Sequence, residues 1–101
     1  MGIYFHAAAD AEVEEIRYLA SESASGLPMR PAAALIDGKQ GMEIEVDKKV
    51  SDAHKNRQNL LVRMAAVTTS KGFFTLEHTW PAGTRPSPAF DELLRTFHSD
   101  L

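Results

Sequence analysis

The run Met42-Glu43-Ile44-Glu45-Val46-Asp47 alternates apolar and acidic side chains with a period of two. Only a β-strand with one face buried places alternate residues on opposite sides in this way. A lone strand is not stable in water, so the chain must build a sheet, with Met42, Ile44 and Val46 turned toward a core and Glu43, Glu45 and Asp47 turned away. Asp37-Gly38-Lys39-Gln40-Gly41, just upstream, is a turn in which glycine supplies positive φ, and Ala32 to Ile36 reads as a short buried strand leading into it.

Around this strand the remaining elements follow from local signals. Gly2 to Ala7 carries Ile3, Tyr4 and Phe5, which suit a short strand. From Asp10 to about Ser23 the chain reads as a helix, with Asp10 as its cap, Glu12, Glu14 and Glu15 near the positive end of its dipole, and Val13, Ile16 and Ala20 on the inner face. Ser21 to Pro31, with one glycine and two prolines, is the loop that follows. Ser51 to about Gly72 is expected to be a long helix, Ser51 capping it and Ala53, Leu60, Leu61, Met64 and Thr68 facing inward. Phe73 to Trp80 is a strand in which Phe74, Leu76, His78 and Trp80 share a face, and Pro81 to Pro86 is a loop. Ser87 and Pro88 open a last helix whose apolar residues Phe90, Leu93, Leu94, Phe97 and Leu101 recur at helical spacing.

The expected architecture is therefore a single α+β domain spanning residues 1–101, with an antiparallel sheet in the ferredoxin-like β-α-β-β-α-β order and an extra C-terminal helix. A chain of 101 residues with 44% apolar side chains and no cysteine buries enough surface to fold without disulfide or metal staples. The absence of cysteine excludes thiol catalysis and Cys-ligated zinc, and fits a reducing compartment. No signal peptide and no span of about 20 apolar residues is visible, so the expectation is a cytoplasmic protein with no membrane partner.

Charge is unevenly distributed. Residues 48–72 hold Lys48, Lys49, Lys55, Arg57, Arg63 and Lys71 against Asp52 alone, a net +5 within a chain of net −3. On the expected long helix, Lys55, Asn59 and Arg63 fall at successive i+4 positions and, with Arg57, make a basic face. Trp80 and Arg85, beside Pro81 and Pro86, form a second patch of residue types enriched at interfaces.

These features point to a non-catalytic protein-binding regulator, inhibitor or adaptor, its partner presenting an acidic surface to Lys55, Arg57, Asn59 and Arg63, with Trp80 and Arg85 as a further contact. A homodimer is a further expectation, because a cationic helix and an acidic sheet on one molecule are complementary. Nucleic acid is the alternative partner for the same helix, although a net charge of −3 and acidic outward strand positions oppose it. A third reading is a small enzyme built on His6, Glu43, Glu45 and Glu77, which the expected strand order would gather on one uncovered face. No Walker loop, nucleophile elbow, dinucleotide-binding turn or His-x-x-x-His pair occurs, and no cofactor or metal is expected.

Overall fold

The computed structural model describes residues 1–23, 29–32, 35–51 and 57–99. In chain order its elements are β1 (Gly2–Ala7), α1 (Ala11–Ser23), β2 (Arg30–Pro31), β3 (Met42–Ser51), β4 (Arg57–Thr69), β5 (Gly72–Pro81) and α2 (Ala89–Thr96). The strands form one sheet in the order β1-β5-β4-β3-β2, every neighbouring pair antiparallel.

This is α+β, as expected, but the strand order is not ferredoxin-like. β1 lies at an edge beside β5 rather than in the middle of the sheet. The long helix expected from Ser51 to Gly72 is absent among the described residues: Arg57–Thr69 is β4, paired with β3 from Arg57 to Ala66 and with β5 from Leu60 to Thr69. The reason is burial on two faces. Val62, Met64 and Ala66 face one side of the sheet and Ala65 and Val67 the other, all at most 5% exposed. A strand covered on both sides reads as a continuous apolar run without alternation, and Leu, Met, Ala and Arg are good helix formers. Pairing on both sides overrode that local preference.

The alternation of β3 is as expected, and the strand runs on to Ser51. The turn before it is a two-residue reversal: Ile36 and Lys39 exchange backbone hydrogen bonds of 2.9 and 3.0 Å around Asp37 and Gly38, which adopt φ of 53° and 73°. Ile36 belongs to that isolated bridge rather than to a strand, while Arg30 and Pro31, expected in a loop, form β2. Residues 33 and 34 of the expected Ala32 to Ile36 strand lie outside the described residues.

One helix packs on each face of the sheet. Leu19 of α1 joins Ile44, Val46, Met64 and Ala66, whereas Phe90 and Leu94 of α2 join Ala32, Ile36, Ala65, Val67 and Leu76. Phe90 and Leu94 are 1% and 0% exposed, and each such side chain contributes about 2–3 kcal/mol of burial. α2 ends at Thr96 rather than continuing to Leu101, because Phe97 turns extended at ψ 132° and packs its ring edge-on to Phe74 at 5.2 Å.

α1 starts where the sequence places it, with the Asp10 carboxylate accepting the Val13 amide at 3.4 Å. Its buried stripe is rotated from expectation: Glu15, Leu19 and Ser23 face the sheet, while Val13 and Ile16 are 40% and 50% exposed. The bulk of Tyr18 and Leu19 decides this. Tyr18 packs on His6 and Phe73, at ring distances of 4.5 and 5.7 Å, and together they remove more apolar surface than Val13 and Ala20 would. Glu15 is carried inward with them. No helix among the described residues is long and apolar enough to cross a membrane.

Candidate functional site

The residues expected to form a basic face do not share a helix. Lys55 lies outside the described residues. Arg57 opens β4 opposite Ser51, and Asn59 pairs with Lys49 and accepts the Ala82 amide at its carbonyl, 2.9 Å away. Arg63 is not a free cation. Its side chain is 15% exposed and held by Glu43 at 3.0 Å and Asp91 at 2.7 Å, with the guanidinium 5.2 Å from the Phe90 ring centre. Burial alone would lower the Arg63 pKa, but hydrogen bonds and charges from Asp91 and Glu43 outweigh it and raise it. Arg30 reaches the other oxygen of Glu43 at 2.7 Å. This cluster ties α2 and β2 to the sheet, and it explains why Glu43, expected to be solvated, is 3% exposed.

Trp80 is 7% exposed and stacks on His78 at 5.2 Å, so it closes the core rather than presenting a docking surface. Arg85 is exposed in the loop between β5 and α2. The His78 Nε2 accepts the Ser87 amide at 3.0 Å and so fastens that loop to the sheet. Burial, the N-terminal ammonium and Arg63 all push the His78 pKa below its ordinary value, which suits a neutral acceptor.

The enzyme reading required His6, Glu43, Glu45 and Glu77 on one face, and the strand register divides them. Glu43 and Glu45 stand opposite Ala65 and Arg63 on the α2 side. His6 and Glu77 stand opposite Phe73 and Gly2 on the α1 side, His6 stacked 4.6 Å over Phe73 and hydrogen-bonded to Thr75 at 3.1 Å. Among the described residues no group of three or more His, Cys, Asp or Glu could hold a metal ion.

What the fold does gather is an apolar edge. Met1, just before β1, and Ile3, Tyr4 and Phe5, from both faces of β1, are 61%, 46%, 52% and 40% exposed. The Ala8 amide donates to the Lys71 carbonyl at 3.1 Å. Antiparallel ladders alternate inward- and outward-pointing backbone groups, so the amides and carbonyls of Ile3, Phe5 and Ala7 point away from β5 to the open side. β1 approaches β5 closely at Gly72, where a Cβ would collide with the His6 carbonyl oxygen.

Beside this edge, on the α1 face, lies an open cleft of about 370 Å³ lined by His6, Tyr18, Phe73, Glu14, Arg17 and Ser21. The sequence shows Ile3, Tyr4 and Phe5 as strand formers, but nothing local says that this strand is an edge. The edge position of β1 was therefore missed.

No protein-family model, curated protein or solved structure matches this chain.

Proposed function

We propose that this protein is a binding module for other proteins, and that a partner docks by adding a mainly apolar, extended segment to the open side of β1. One observation carries the reading: a six-residue edge strand with no charge and no proline, whose large apolar side chains stay in solvent. Edge strands of this kind template pairing with another chain, and soluble proteins otherwise blunt them. Main-chain hydrogen bonds from Ile3, Phe5 and Ala7 would supply affinity, and the cleft between β1 and α1 would select alternate side chains. The role remains that of a regulator or adaptor without chemistry of its own, but the surface is the sheet edge and not a basic helix. Nucleic acid as a partner drew its support from the same cations, and Arg63 is already neutralised by Glu43 and Asp91.

The test uses Ile3→Pro. Proline at this outward position removes a donor from the open edge while sparing the ladder to β5. Displayed peptide libraries selected on the folded protein should enrich sequences with alternating apolar residues, and Ile3→Pro should weaken those peptides at least about tenfold with little change in thermal stability. No enrichment, or equal binding to Ile3→Pro, overturns the reading. Light scattering that finds a dimer dissolved by Ile3→Pro also overturns it, because the edge would then serve self-association.

A further inference from the structure

The flank of α1 turned away from β1 borders a second hollow. Glu12, Glu15 and Ile16 of α1, Met29 before β2, Met42 of β3 and Thr68 of β4 surround a cavity of about 280 Å³, near the lower end of small-ligand sites. Glu15 lines it and is 5% exposed, yet among the described residues its Oε2 has no hydrogen-bond partner. A buried carboxylate oxygen without a partner is costly and calls for a donor. Among the described residues the neighbouring groups do not supply one. The Gln40 amide nitrogen, also at this cavity, is spent on the carbonyls of Ala32 and Gly41, each 3.1 Å away. The Lys39 ammonium donates to the Thr68 carbonyl at 3.2 Å, and Glu12 adds a second negative charge.

The walls narrow the class of ligand. Ile16, Met29 and Met42 offer apolar, adaptable surface suited to an alkyl stem, and the acidic end suits a compact cation with several rotatable donors. A hard divalent ion is held mainly by clustered carboxylates, and among the described residues no group of three or more His, Cys, Asp or Glu could hold one. We propose that this cavity binds a primary alkylammonium group, with the stem against Ile16, Met29 and Met42 and the ammonium on Glu15 and Glu12. The stem belongs either to a free alkylamine or to a protein lysine, which present the same chemistry. This site stands apart from the β1 edge and does not depend on it.

Burial and the charge of Glu12 push the Glu15 pKa up to about 7, so an ammonium must compete with a proton. The test is a titration with n-butylammonium followed by the methyl resonances of Ile16, Met29 and Met42 and the carboxyl carbon of Glu15. Saturable binding is expected at millimolar concentration, stronger by about tenfold at about pH 8 than at about pH 6 as the carboxylate ionises. Glu15→Gln, a neutral replacement of the same shape, should fold and weaken binding about tenfold or more, and n-butanol should not bind. Capped lysine amide is the second arm: affinity equal to or above that of butylammonium assigns the stem to a protein, lower affinity to a free amine. Absence of resonance shifts in the wild type, or equal binding by Glu15→Gln or by n-butanol, overturns the proposal.

Discussion

β2, at one edge of the sheet, is two residues long and consists of Arg30 and Pro31, while β1, at the other edge, runs six residues with neither charge nor proline. Arg30 is fixed over the β2 edge by Glu43 at 2.7 Å and Glu45 at 3.5 Å, and Glu43 is gripped in turn by Arg63 from β4. Shortness, proline and charge are the devices that keep an edge from pairing with other chains. One sheet therefore carries a guarded edge and an unguarded one. The difference shows that the exposure of β1 is not a general failing of this sheet, and it is the contrast on which the proposed docking at β1 rests.

The guarded edge can be broken first. Arg63→Met leaves Glu43 buried with only Arg30 to balance it, and removal of one partner of a buried pair costs about 3 kcal/mol. Denaturant unfolding should report that loss, and Arg30→Met, whose side chain is 52% exposed, should cost less than about 1 kcal/mol. Equal losses would mean that Arg63 does not anchor this side.

The next largest effect concerns α1, which borders both hollows. The Glu15 pKa is about 7 in the folded protein against an ordinary 4.5. A raised carboxyl pKa gives stability that is present in full below pH 4.5 and lost as pH rises through about 7. Glu15→Gln should flatten the stability profile across that window and exceed the wild type above it, by on the order of 2 kcal/mol once residual solvation is discounted. A wild-type profile without this slope would contradict the burial of the Glu15 carboxylate.

On the open edge, Phe5→Lys sharpens the contrast. Phe5 is 40% exposed and lies 4.9 Å from Phe74, so a charge there guards β1 at a stability cost of about 1 kcal/mol. It should also abolish peptide addition in a binding assay. The smallest effect is expected at His78. Its pKa is lowered, so its contribution is present above the unfolded value of 6.5 and fades as pH falls below that. His78→Phe should remove this part of the acid sensitivity, read from thermal unfolding at several pH values.

How much of this was legible in the sequence differs from element to element. β3 and β5 were readable because one face of each meets a core while the other carries polar side chains, so alternation survives. The turn at Asp37 and Gly38 was readable because its backbone angles favour those residues. β4 was not, since both of its faces are buried and its residues favour helices in isolation. The basic face vanished with that misreading: Arg63 is a basic residue in any conformation, but whether its charge is free depends on Glu43, twenty positions away in sequence, and on Asp91, twenty-eight away. The open edge was half visible. Ile3, Tyr4 and Phe5 announce a strand, yet the same residues would be core in the centre of a sheet.

The amino-acid order by itself determined an α+β chain, the alternating faces of β3 and β5, the start of α1 and of α2, and the two-residue reversal between Ile36 and Lys39, because each depends on neighbours within a few residues. Tertiary structure alone decided the order of the strands, the rotation that buries Glu15 and exposes Ile16, the pairing of Arg63, and the edge position of β1. These follow from which distant surfaces exclude water together, and burial is shared among segments that local preference cannot see.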